Sequence, residues 1–310
     1  MLNPAQLGTP APMQFPYGLS DFATLIDNGY WYQDRTDRIP ELEAAGRQLI
    51  FLRPRRFGKS LLLSMLAHYY DLAYAERFES WFGQLAIGAK PTPLRNQYFI
   101  MKWDFSLVPA YGEVREIEAA LHRHLNNRIM QFAADYQAHL TREILIHPDD
   151  AVSSFESALG AVHATSHKLY LFIDEYDNFA NEVLMAERAG SQDRYEALLY
   201  GEGVLKSVFK AVKAGAGGLG LDRVFITGVA PIVLSDMTSG YNVGEDIYLL
   251  PQFNDLCGFT ETEVANVLEQ LARETGTGSP PAALATMRTF YNGYRFSEEA
   301  AESLYNPTLS

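Results

Sequence analysis

Gln48-Leu49-Ile50-Phe51-Leu52 runs into Arg53-Pro54-Arg55-Arg56-Phe57-Gly58-Lys59-Ser60 and on into Leu61-Leu62-Leu63-Ser64-Met65-Leu66-Ala67. The first block is a short apolar run of buried-strand type. The last is apolar nearly all round, the pattern of a helix covered on more than one side. Between them stands a degenerate G-x-x-x-x-G-K-[ST] phosphate loop, with Arg53 at the first glycine position and Gly58-Lys59-Ser60 intact. In such a loop, backbone N–H groups of the turn and of the helix N-terminus cradle phosphate oxygens. The candidate nucleotide-binding residues are therefore Arg53, Arg56, Phe57, Gly58, Lys59, Ser60 and Leu61. Lys59 would neutralise the β/γ-phosphates and the Ser60 hydroxyl would ligate Mg²⁺. A Gly-Lys-Ser tripeptide alone equally fits a helix start with a surface lysine. The strand before it and the acid-ended strand after it favour the loop.

That second strand is Leu169-Tyr170-Leu171-Phe172-Ile173, followed by Asp174-Glu175. A buried strand ending in adjacent acids delivers both carboxylates to the C-terminal edge of an open α/β sheet, where ligands bind. Asp174 is the expected Mg²⁺ partner, and Glu175 the group that orients and deprotonates an attacking water. A further strand, Arg223-Val224-Phe225-Ile226-Thr227, places the Thr227 hydroxyl within reach of a γ-phosphate or of that water. The candidate catalytic residues are thus Glu175, Lys59 and Thr227, and the candidate metal residues are Ser60 and Asp174. Asp104, ending the strand Tyr98–Phe105, reads either as a neighbour of the ion or as a cap of the next turn.

Strands alternating with helical patterns at about 112–140, 152–166 and 193–214 argue for a parallel sheet flanked by crossover helices. Residues 1–20, with four prolines, read as an extended arm. A short helix follows Ser20-Asp21, an aromatic strand is expected at 29–32, and a helix at 37–46 ends on Gly46. Past Gly258 the strand signals fade. Thr260-Glu261-Thr262-Glu263 is a capping box, and a second helix follows Pro280-Pro281. The expected organisation is a core over 1–257 with an N-terminal extension, and a small helical lid over 258–310.

The chain has 310 residues, 47% hydrophobic and 20% charged, with a net charge of −13. It can bury a full core, which excludes disorder and small disulfide scaffolds. The acidic balance disfavours a surface that grips nucleic acid as a whole, leaving room for one local basic patch. Cys257 is the single cysteine, so no internal disulfide framework exists. The N-terminus lacks a signal pattern and no apolar run reaches spanning length, so a cytoplasmic protein without membrane association is expected.

Trp31-Tyr32-Gln33-Asp34-Arg35-Thr36, the Arg53–Ser60 loop and Ile173-Asp174-Glu175-Tyr176-Asp177 resemble the bacterial AAA-ATPase-like family. Thr227-Gly228-Val229, Leu256-Cys257-Gly258-Phe259-Thr260, Tyr291-Asn292-Gly293-Tyr294-Arg295-Phe296 and Tyr305-Asn306-Pro307 match it in the same order. The family's loop is itself of the R-P-R-R-F-G-K-S kind, so Arg53 is a family trait. One departure is Arg35, where the family usually has a lysine; the charge is kept. The resemblance implies a P-loop ATPase with a helical lid that uses ATP and Mg²⁺, and ATP in preference to GTP rests on it alone. It also implies a protein partner or a fused effector domain, often nuclease-like, with oligomers possible. A PD-(D/E)XK site needs an acid two residues before a lysine, and none of the lysines here has one. The expectation is an ATPase-only protein or a piece of a longer one.

Some signals are decoys or weak. Gly215-Ala216-Gly217-Gly218-Leu219-Gly220 matches G-x-G-x-x-G but follows a helix and precedes a strand, the reverse of a dinucleotide fingerprint. His163 and His167 have metal-compatible spacing but no third ligand in view. Arg53, Arg55 and Arg56 form the densest basic cluster, suited to nucleotide contact, to a finger on a neighbour, or to nucleic-acid backbone. Arg295 is a candidate lid sensor, or a packed structural arginine.

Overall fold

The computed structural model describes residues 13–185, 196–198, 203–231 and 243–307. Five strands, β1 (Gln48–Leu52), β2 (Tyr98–Asp104), β3 (Lys168–Asp174), β4 (Leu221–Gly228) and β5 (Glu245–Asp246), make one parallel sheet in the order β2-β3-β4-β1-β5. Alternation along β1 splits the interior in two. Leu49 and Phe51 join one core with helices α1 (Phe22–Asp27), α2 (Ile39–Ala45), α3 (Lys59–Tyr70) and α4 (Phe78–Phe82). Ile50 and Leu52 join the other with α5 (Val114–Asp135), α6 (Ala151–His163), α7 (Tyr176–Met185) and α8 (Val204–Ala216). A sheet apolar on both faces must be covered on both, and the crossover helices do so. The expected α/β architecture is the one observed.

Helix α3 is buried at ten of its twelve positions. Its apolar circumference is used up by the sheet on one side and by α1, α4 and the segment around Phe253–Cys257 on the other. Helix α1 begins where expected, capped by Asp21, whose side chain accepts from Thr24 N.

Other expectations are revised. Residues 30–32 form no strand: Tyr30 N donates to Leu25 O and Trp31 N to Gln14 O, while the Trp31 ring packs on Phe15 and Phe259. Side-chain packing, rather than a ladder, accounts for these aromatics. Part of the helix expected at 193–214 lies outside the described residues, and α8 starts at Val204. Strand β5 carried no apolar signal, because its two residues are exposed acids on the sheet edge.

Beyond Gly258 the chain builds α9 (Glu261–Thr275) and α10 (Pro280–Phe290), then an antiparallel pair, β6 (Asn292–Tyr294) with β7 (Leu304–Tyr305). Val264 is the one fully buried side chain described in these two helices. Leu304 and Tyr305, in contrast, are completely buried. The hairpin projects while the strand pair is sewn into the body.

Candidate functional site

Three strand ends meet above the N-terminus of α3. Register aligns them: Asp104 lies opposite Asp174, and Leu52 opposite Gly228. Parallel strands in register bring their C-terminal ends to one edge, so Asp174, Thr227 and the loop that leaves Leu52 converge there. The loop is pinned to β4 as it leaves, through Arg53 N donating to Gly228 O at 3.1 Å.

Asp174 is the hub. Its Oδ2 accepts from the Ser60 hydroxyl at 2.7 Å, and its Oδ1 accepts from Glu175 N at 3.0 Å and from the Thr227 hydroxyl. Lys59, 3% exposed, donates from Nζ to Arg53 O at 2.9 Å and to Pro54 O at 3.2 Å. The same ammonium lies 3.3 Å from Glu175 Oε1. Burial pushes the Glu175 carboxyl up from its ordinary value, against the pull of Lys59. Five of the sequence-predicted residues (Lys59, Ser60, Asp174, Glu175 and Thr227) therefore stand in one connected network.

Backbone conformation marks the same place. Only three non-glycine residues among those described have positive φ, and two of them are Arg56 (65°) and Glu175 (51°). A bulky residue held there costs roughly 1–3 kcal/mol, a strain that tends to gather at functional sites. Gly58, at φ 96°, supplies the turn that lets α3 start at Lys59. Gly228 is required for a different reason. A Cβ there would lie 2.4 Å from Tyr176 Cε1 and 2.6 Å from Asp177 Oδ1.

The arginines separate. Arg53 is buried, and its guanidinium donates to the carbonyls of Leu52, Tyr248, Phe253 and Asn254. It lies between the rings of Phe51 and Phe296, 4.3 and 4.0 Å from their centroids. Burial lowers its pKa to about 10. Its side chain is thus engaged below the loop, and its carbonyl is what reaches Lys59. Phe57 is also fully buried, edge-on to Tyr294 and Phe296. Arg55 and Arg56 are exposed, and Arg55 donates to Asn178 Oδ1 at 2.6 Å. Leu61 is partly buried in the first turn of α3.

Asp104 caps its own turn, accepting from Ser106 N at 2.9 Å and the Ser106 hydroxyl at 2.6 Å. It also lines, with Asp21, Ser60, Ser64, Lys102 and Asp174, a cavity of about 240 Å³ beside the Ser60–Asp174 pair. Arg295 donates to Ala300 O and borders a second cavity of about 300 Å³ with Pro54, Tyr248 and Phe296. The glycine-rich 215–220 stretch connects the end of α8 to β4.

Sequence reasoning gave no role to Asp177. Fully buried, it accepts from Val229 N at 3.0 Å and Ala230 N at 2.8 Å, tying the start of α7 to the chain that leaves β4. Its partners lie more than fifty residues away, so no local spacing could have pointed to them. Asn178, which holds Arg55 and donates to Glu182 at 2.8 Å, was missed for the same reason.

The chain is 24% identical over 306 residues to an uncharacterized protein from the vnfD 5' region of Azotobacter chroococcum mcd 1, covering 95% of this chain and 50% of that protein. It thus spans about half the length of that curated relative. Among solved structures it is similar to the Walker-type ATPase PABY2304 of Pyrococcus abyssi (TM-score 0.46, 14% identity, 91% of this chain and 66% of that one). It is also similar to the ORC2 protein of Aeropyrum pernix in its ADPNP–ADP complexes (TM-score 0.40, 13% identity, 84% and 59%). Among the described residues no helix is long and apolar enough to cross a membrane. Residues 16–238, most of the chain, match the AAA-ATPase-like model described as predicted AAA-ATPase, and the chain belongs to that family.

Proposed function

We propose that the chain binds ATP with Mg²⁺ at the Arg53–Leu61 loop and hydrolyses it, with Glu175 as the general base. The observation that carries this reading is the network at one sheet edge. A buried lysine, a hydroxyl paired to a carboxylate, and a second carboxylate beside the lysine all lie within hydrogen-bond or ion-pair reach. Ser60 Oγ and Asp174 Oδ2, 2.7 Å apart, form an oxygen-only donor pair of the kind a hard divalent cation takes. When bound, such an ion neutralises charge developing on the phosphates.

The rest of the work falls to the chain. Backbone N–H groups from Arg56 to Leu61 hold phosphate oxygens at the positive end of α3. Lys59 exchanges its loop carbonyls for phosphate oxygens, which also frees Glu175. Glu175 then takes a proton from the attacking water, and Thr227, fixed through Asp174, orients that water or the γ-phosphate. Arg53 contributes through its backbone; Arg56, exposed in the loop, is a second phosphate contact.

The α9–α10 hairpin is the proposed moving lid, supported by how little of it is buried. Through it the nucleotide cycle would control a partner or effector domain, in a reducing cytoplasmic setting that suits the buried thiol of Cys257. The net charge of −13 keeps nucleic acid a secondary prospect.

The test is phosphate release with Mg-ATP, wild type beside Glu175→Gln, with nucleotide affinity measured on both. Turnover that vanishes in a variant still able to bind supports the ATPase with Glu175 as its base. Binding without turnover in either makes the chain a nucleotide-dependent scaffold. No binding by the wild type rejects the site.

A further inference from the structure

The phosphate loop is held from below by residues some two hundred positions later in the chain. Phe57 stands edge-on to Tyr294 and Phe296, with centroids 5.0 and 5.2 Å away. Arg53 reaches Phe253 O at 2.7 Å and Asn254 O at 3.2 Å, and its guanidinium lies over the Phe296 ring. Asn254 closes the circuit, its Oδ1 accepting from Phe296 N at 3.1 Å. Gly258 completes the socket: a Cβ there would sit 2.5 Å from Phe57 Cε1. The strand pair behind the socket is fixed to it by two backbone hydrogen bonds between Phe259 and Tyr305, of 3.1 and 2.8 Å.

This arrangement is unusual in its cost. A buried guanidinium is normally matched by a carboxylate, because removing a charge from water costs roughly several kcal/mol. Here carbonyl dipoles and two aromatic faces hold it, and its Nε has no hydrogen-bond partner. The oxygen of the same residue accepts from Lys59 Nζ at 2.9 Å. Displacing Phe296 therefore reaches the lysine in two steps, through the Arg53 side chain and then through its carbonyl. Phe57, next to Gly58 in the turn, gives a second route to the same place.

We propose that Phe296 and Asn254 are positioning residues for the phosphate loop, so that docking of residues 292–305 and binding of nucleotide are thermodynamically linked. The inference rests on the nucleotide reading above. The docked segment preorganises the loop and the Lys59 ammonium; the nucleotide, by engaging that same loop, stabilises the docked segment in return. Such coupling is reciprocal by necessity. It makes the segment around Tyr294–Tyr305, together with the α9–α10 hairpin, an element through which a partner or effector domain senses the nucleotide.

Two measurements test the linkage. Phe296→Leu keeps an apolar side chain but removes the ring, and should weaken Mg-ATP binding about ten-fold or more, with Phe296→Tyr restoring it. In the unaltered protein, nucleotide should slow amide hydrogen exchange across residues 292–305, and Lys59→Ala should abolish that slowing. This second readout needs no change in the clasp, so a misfolded Leu variant does not decide the matter. Unchanged or tighter binding by a folded Phe296→Leu, or no slowing of exchange in a wild type that binds nucleotide, overturns the linkage and leaves the site intact. A wild type that binds no nucleotide overturns the site, and the linkage falls with it.

Discussion

The ammonium of Lys59 and the carboxylate of Glu175 face each other at 3.3 Å across the mouth of the phosphate loop. The two groups assigned to phosphate binding and to water activation are therefore partners of one another in this state. On the proposed reading, a nucleotide would have to separate them before either could act, freeing Glu175 as it takes the lysine.

Glu175→Gln should bind Mg-ATP as tightly as wild type or somewhat more tightly, because the lysine is relieved of a charged competitor. Turnover should fall by about 10²–10⁴-fold, the range for loss of a general base. Lys59→Ala should lose both. Phosphate release and equilibrium nucleotide binding on the three proteins check the pattern.

Asp177→Ala should destabilise the fold by about 1–3 kcal/mol, since two backbone N–H groups lose a fully buried acceptor. Asp177→Asn, which keeps one acceptor oxygen, should cost less. Denaturant unfolding gives the difference. Equal loss in both variants would assign the effect to the charge rather than to the hydrogen bonds.

Gly258→Ala meets two penalties at once. The residue has φ +90°, where a side chain is strained, and its new Cβ would press on the Phe57 ring. A loss of more than about 1 kcal/mol is expected, with a lower melting temperature. Gly276→Ala is the control, with φ +65° and nothing within 4 Å of a Cβ, so it isolates backbone strain from the clash.

Asp71 sets a pH dependence away from the site. It is 7% exposed, and burial raises its pKa to about 6 from 3.8. Between those values the folded chain retains a proton that the unfolded chain has released. Stability from this group therefore falls as pH rises from about 4 to about 6, by an amount on the order of 3 kcal/mol. Asp71→Asn can still accept from Ala73 N but does not ionise, so its stability relative to wild type should climb across that window. Unfolding at pH 4 and pH 7 on both proteins tests the sign.

Much of the site was legible because its chemistry is local. Gly58-Lys59-Ser60 sits between a strand and a helix whose apolar patterns are unambiguous, and Asp174-Glu175 ends a strand buried from Leu169 to Ile173. The other direction failed where residues depend on distant partners. Asp177 and Asn178 carried no local signal, because their partners come from the chain just after β4 and from the loop. Arg53 looked like a phosphate ligand because of its place in the motif, yet its side chain belongs to the carbonyls of Phe253 and Asn254. The aromatic run at 30–32 had strand composition, but its N–H groups bond to Leu25 and Gln14 and its rings are used in packing.

By itself, then, the sequence determined the alternation of buried strands and covering helices, the phosphate-loop turn and the acids at the strand end. Each depends on periodicity, or on residues adjacent in the chain. Tertiary structure alone decided that Lys59 rests against Glu175, that Asp174 gathers Ser60 and Thr227, and that the loop is clasped from Phe296. Those contacts join segments separated by more than fifty to more than two hundred residues, and strand register and helix packing bring them within bonding distance.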